Sequence, residues 1–217
     1  MEVGENLRGI IVALILVMSV LALLNLFDVS VAGISILIGI IGFILYRNKQ
    51  KELFGSHVLS LKRFWIELKM NPNWFWLVLP LILNIVSLSL AAAILPDFID
   101  HLGERVDVAL SFQVIFILVI QLAIMALGEE IAWRAFFQKQ LTQYISVVPA
   151  ILLTSLVFSL GHFSIGPALV VGYDLLFIFI NSVVYGIIFL KTNNVWMSAL
   201  SHFAANTLAI FAILFLF

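Results

Sequence analysis

Seven apolar stretches of roughly bilayer length follow one another along this chain, and that succession limits its fold more than any other feature. A membrane-spanning helix needs about 20 mostly apolar residues. By that rule the spans fall at about 9–27, 29–46, 74–95, 111–139, 148–164, 169–190 and 196–217. Of the 217 residues, 64% are hydrophobic and 11% are charged, where a soluble domain carries about a quarter charged residues. The expected fold is therefore all-α: a polytopic transmembrane helix bundle forming one integral membrane domain over 1–217. The first run leads straight into a second and lacks a small-x-small cleavage site, so it reads as a retained span rather than a signal peptide.

Charge is distributed unevenly between the linkers. Arg47, Lys49, Lys51, Lys62, Arg63 and Lys69 all fall between residues 47 and 73, whereas the linker from Pro96 to Leu110 carries Asp97, Asp100, Glu104 and Asp107 against Arg105. Lysine and arginine collect in cytoplasmic loops. The first linker is accordingly expected inside, and seven spans then put the N-terminus inside and the C-terminus outside. Within that linker Val58, Leu59, Leu61, Trp65, Ile66 and Leu68 alternate with Lys62, Arg63 and Lys69, the pattern of a short amphipathic helix on the membrane surface. A net charge of -1 argues against a nucleic-acid partner. With no cysteine, acid–base or metal chemistry falls to His, Asp, Glu, Asn or Tyr. His57 and His101 sit in what reads as polar loop.

Against this background the polar residues inside apolar runs stand out, because a charged side chain in hydrocarbon costs roughly 2.5 kcal/mol or more. Glu129, Glu130 and Arg134 close the run QVIFILVIQLAIMALGEEIAWRAFF. Glu130 and Arg134 are i, i+4 and can pair on one helix face, while Glu129 projects roughly 100° away. One carboxylate then has a counter-ion and the other is left as a candidate base. Phe158 and His162 repeat the i, i+4 spacing in the fifth span, and His202 and Asn206 do so in the last. An amide beside an imidazole can hold the ring or donate to an oxyanion. Each histidine alone also reads as a helix-to-helix hydrogen-bonding group. At 1.5 Å per residue, Glu129 lies about 15 Å, His162 about 20 Å and His202 about 9 Å from the expected cytoplasmic helix ends. Such similar depths suit a shared, water-accessible cavity opening to the cytoplasm. Asp174 reads as interfacial, or as a partner for polar groups on the Asn181 side.

E-E-x-x-x-R, F-x-x-x-H and H-x-x-x-N, in this order and on separate spans, resemble the motif set of the CAAX-protease and bacteriocin-processing (CPBP, or Abi) family of intramembrane proteases. The likeness covers about 111–210 and includes GIIFLKTNNVWMSALSHFAAN. It implies an endopeptidase that cleaves a peptide or lipoprotein substrate at the cytoplasmic side of a membrane, with membrane lipid and a peptide or protein as partners. Carried over by position, Glu129 and His162 would activate water, His202 and Asn206 would stabilise the oxyanion, and Glu130, Arg134 and Phe158 would shape the site. No cofactor is favoured, although Glu129, His162 and His202 also form a donor set of the type Zn²⁺ takes. Other intramembrane proteases fit less well: there is no H-E-x-x-H, no G-x-S-G, and no second intramembrane aspartate to partner Tyr173-Asp174. The alternative is a non-catalytic membrane scaffold or binding protein of the same family. A prokaryotic cell membrane is the expected location.

Overall fold

In the computed structural model of the chain, residues 2–27, 29, 31–47, 49, 57–110 and 115–216 are described, and among them nine helices and no strand occur. They are α1 (Glu2–Leu23), α2 (Ala32–Arg47), α3 (Leu61–Leu68), α4 (Asn71–Ile94), α5 (Asp97–Leu110), α6 (Ile115–Glu129), α7 (Val147–Leu160), α8 (Ala168–Thr192) and α9 (Val195–Leu216). A π-helical segment, Glu130–Gln138, and one further turn to Leu141 continue α6. The all-α expectation holds.

Among the described residues five helices are long and apolar enough to cross a bilayer: Leu7–Phe27, Asn73–Ile94, Phe116–Leu141, Ala168–Thr192 and Val195–Leu216. Gly33–Arg47 and Val147–Leu160 are apolar but shorter. The protein is thus an integral membrane protein whose seven apolar helices are not of equal reach. α7 ends at Leu160, where Gly161 caps it, so the expected span 148–164 stops four residues early. His162 lies in the turn beyond rather than on the helix face that carries Phe158.

The expected amphipathic helix in the 47–73 linker is α3. Ser60 opens it by accepting from the Arg63 N–H at 3.2 Å, which satisfies one of the donors a helix start leaves over. Phe64 and Leu68 pack inward against Leu77, Tyr185 and Met197, while Leu61, Trp65 and Ile66 remain exposed. Residues 50–56, including Lys51, lie outside the described residues. The acidic linker is a correction. It forms helix α5 rather than a loop, because Phe98, Ile99 and Leu102 share one face and pack against Leu88, Ala91, Val170 and Ala212. The side chains of Glu104, Arg105 and Asp107 lie outside the described ones.

What holds the functional half in place is close packing of α2 on the π segment. A Cβ at Gly39 would lie 2.6 Å from Ala132 Cβ, and one at Gly42 would lie 2.6 Å from the Phe136 ring. Small residues let helix backbones approach in a membrane, where no hydrophobic force between helices operates. Ala132, Trp133, Ala135, Phe136 and Phe137 are consequently buried with Ile11, Met18 and Phe43 of the α1–α2 hairpin.

Candidate active site

Glu129 is the last α-helical residue before the π segment and Glu130 the first residue within it. π-Helical turns are rare and concentrate at functional sites. Here the change of winding coincides with the two adjacent carboxylates. Glu130 is fully buried, with its Oε2 3.5 Å from Arg134 Nε, so the i, i+4 pair expected from the sequence forms. Arg134 is itself completely buried: its Nη2 donates to Ser182 Oγ at 3.1 Å, and its guanidinium lies 4.9 Å from the Phe158 ring centre. A cation over an aromatic face in a dry site is favourable by about 2 kcal/mol. That contact is what Phe158 contributes.

His202 joins the two carboxylates. Its Nδ1 is 3.0 Å from Glu130 Oε1, and its Nε2 is 3.6 Å from Glu129 Oε2. An ionised carboxylate only accepts, so the short contact puts a proton on Nδ1. The imidazole also stacks on Tyr185 at 4.5 Å with an interplanar angle of 17°. His162 is held differently: its Nδ1–H donates to the Phe158 carbonyl at 2.9 Å, which makes Nε2 the basic nitrogen of the neutral ring.

Glu129, Phe158, His162, His202 and Asn206 all line one cavity of about 300 Å³. The three motif clusters, more than 70 residues apart at their extremes, therefore meet. The Glu129 side chain keeps 12% exposure towards that space while Glu130 keeps none. The short α7 explains how a residue beyond a helix end reaches the site. Fourteen residues rise about 21 Å, short of the roughly 30 Å of a hydrocarbon core. Non-helical backbone is tolerated there where it is buried in protein or lines a polar cavity. Asn25 secures the turn by donating to the Gly161 carbonyl.

Several contributors escaped the sequence reading. Asn84, Asp174, Asn181 and Tyr185 line the same cavity, and Asn181 donates to Asn84 Oδ1 at 2.8 Å. Asp174, Ile178, Asn181 and Tyr185 are spaced by 4, 3 and 4 on α8, a helical stripe that would have identified this wall. Two corrections follow. Asp174 is buried, not interfacial, and its Oδ2 lies 3.8 Å from His101 Nε2. His101 is on α5 and stacks near Phe98, not in a loop.

A catalytic zinc takes three protein ligands at about 2.0–2.3 Å. Among the described residues no three of His, Cys, Asp and Glu form a group that could hold a metal ion. In Glu129, His162 and His202 the contacts made by the Nδ1 atoms, to the Phe158 carbonyl and to Glu130, leave Nε2 of each imidazole as the nitrogen that would bind a metal.

Phe98, Leu102 and Ile213 line the cavity as well, and its lining includes no residue of the 57–69 segment, the 142–146 loop or the α8–α9 turn.

No curated protein and no solved structure matches the chain. Residues 111–208, a little under half of the chain, match the family model described as type II CAAX prenyl endopeptidase Rce1-like, which is consistent with the CAAX-protease family that the motifs around Glu129, His162 and His202 resemble.

Proposed function

We propose that the protein is an intramembrane endopeptidase that cleaves a peptide or lipoprotein substrate with a water activated by Glu129 and His162. The observation that carries this reading is the convergence of Glu129, His162, His202 and Asn206 on one cavity. In the proposed reaction Glu129 takes a proton from water as the water oxygen bonds to the scissile carbonyl carbon. The basic Nε2 of His162 orients that water. His202, as the imidazolium held between the two carboxylates, and the Asn206 amide donate to the oxyanion, where donors aimed at developing charge contribute most. The C–N bond then breaks, and the proton held by Glu129 passes to the departing amine. Glu130 acts through His202, holding the ring by its Nδ1–H, and Arg134 balances the charge of Glu130. The proposed location is a prokaryotic cell membrane with the N-terminus cytoplasmic.

The test is cleavage of a panel of fluorogenic, membrane-anchored peptides by the purified protein in liposomes. Cleavage that disappears in a folded Glu129→Gln variant is the expected result. Undiminished cleavage in that variant would remove Glu129 from the chemistry. Saturable peptide binding without turnover in the unaltered protein would favour the scaffold reading instead.

A further inference from the structure

We propose that the exposed face of α3 is a binding surface for the headgroups of anionic phospholipids, with Lys62 and Lys69 as the phosphate contacts and Trp65 seated between them. This surface lies outside the cavity lining, so its ligand is independent of whether the chain cleaves peptides.

The face follows from helix geometry. At about 100° per residue, Arg63, Phe64, Glu67 and Leu68 occupy one arc of α3, and all four are buried or half-buried. Lys62, Trp65 and Lys69, spaced i, i+3 and i+7, share the other arc with Leu61 and Ile66. Trp65 is 58% exposed, and both lysines are exposed. Met70, Trp74 and Phe75, where α3 gives way to α4, are exposed as well. Indole rings favour the membrane–water boundary, and lysine lays its apolar stem along such a surface while its ammonium reaches the headgroups. An arc that mixes these groups suits the boundary layer of a bilayer.

The charge on this arc selects among lipids. Glu67, the one acidic residue of α3, is buried on the opposite side. It pairs with Arg63 and accepts from Asn73 Nδ2 at 2.8 Å. Among the described residues no ion pair forms at Lys62 or Lys69. Lys191 of α8 adds a third exposed ammonium, 5.4 Å from the ring centre of Trp76, which packs in the cluster that holds Phe64 and Leu68. A phosphodiester headgroup with net negative charge complements this arc. A phosphatidylcholine headgroup brings its own cation and gains less.

The lysines are also held in place. Four successive carbonyls leading into α3 accept from three successive residues at the start of α9. Asn194 Nδ2 donates to His57 and Ser60 at 2.8 and 2.9 Å, the Val195 N–H donates to Val58 at 2.9 Å, and Trp196 Nε1 donates to Leu59 at 3.1 Å. Asn194 is completely buried. This clasp fixes α3 against the bundle, with its two lysines about 10 Å apart along the helix axis. Preorganised contacts lose less entropy on binding than mobile ones.

The test places the full chain in phosphatidylcholine vesicles containing phosphatidylglycerol. One lipid or the other is brominated near the carboxyl end of its acyl chains, so that it quenches an adjacent indole. The quenching lost in Trp65→Phe reports on this site. There, brominated phosphatidylglycerol should compete at least about 3-fold better than brominated phosphatidylcholine. The double variant Lys62→Gln/Lys69→Gln should bring that ratio to about one and keep its melting temperature in pure phosphatidylcholine, since both side chains are exposed. Lys49→Gln, which removes an exposed basic residue outside the arc, should leave the ratio unchanged. Equal quenching by the two lipids in the unaltered protein would overturn the proposal. So would an equal loss of preference in Lys49→Gln, which would leave only diffuse attraction to basic residues. A preference abolished by inorganic phosphate, but not by chloride at equal ionic strength, would assign the lysines to a soluble anion and overturn the lipid site.

Discussion

Nδ1 of His202 stands 3.0 Å from Oε1 of Glu130, and this contact separates two carboxylates that the chain places side by side. Glu130 is occupied on one oxygen by His202 and faces Arg134 with the other. Glu129 meets only the far nitrogen of the same ring, at 3.6 Å, and looks into the cavity. Neighbouring residues of one type thus acquire different tasks from their surroundings. The buried one organises the site, and the partly open one is available for proton transfer.

Glu129→Gln should lower peptide cleavage by about 100-fold to 10,000-fold, the usual contribution of a positioned base. Insertion and thermal stability should change little, because the carboxylate faces a cavity and leaves no buried partner stranded. Turnover in liposomes, read alongside a melting curve, checks both. A variant that cleaves at the original rate would contradict the role.

Arg134→Gln should act in the opposite way. It leaves Glu130 charged in a dry interior, where breaking a buried pair costs about 3–5 kcal/mol, so yield and melting temperature should fall sharply. Glu130→Gln should also destabilise, by less, since Gln can still accept from His202. In a double-mutant cycle the pair should couple by at least about 1 kcal/mol. Additive effects would mean that the 3.5 Å contact carries no energy.

The sequence reading reached the motif residues because their isolation in apolar runs is a signal that needs no tertiary information. It also reached the Glu130–Arg134 pair, since i, i+4 spacing survives the change to π winding. The winding itself has no compositional mark, and neither does the close packing of Gly39 and Gly42 on that segment. Helix α5 was misread because its charges outweighed a helical repeat at Phe98, Ile99 and Leu102. Asp174 looked interfacial because its partner, His101, lies 73 residues earlier on that misread helix. Tyr185 was overlooked because an aromatic residue in a span is unremarkable until its ring is seen against His202.

Gly39→Leu should disrupt assembly of the functional half without touching the cavity. The added side chain would meet Ala132 backbone and Met18 within 3 Å, and neither offers a flexible way out on the Ala132 side. Forced overpacking typically costs about 1–3 kcal/mol. A lower melting temperature, with residual activity per folded molecule preserved, is the expected combination. Unchanged stability would show that α2 can shift away from the π segment.

Asn206→Ala and exhaustive chelation together address how the oxyanion is stabilised. If the Asn206 amide donates to the oxyanion, its loss should reduce kcat by about 100-fold to 1,000-fold, or roughly 3–4 kcal/mol. KM should move little, because that hydrogen bond strengthens only as charge develops on the carbonyl oxygen. In the same preparation 1,10-phenanthroline should leave cleavage intact, since Glu129, His162 and His202 are not gathered about one point. Stoichiometric zinc in an active preparation, lost with activity on chelation and absent from His162→Ala, would replace this mechanism with a metal-bound water. A change confined to KM in Asn206→Ala would instead make the amide a substrate-binding group and leave His202 as the oxyanion donor.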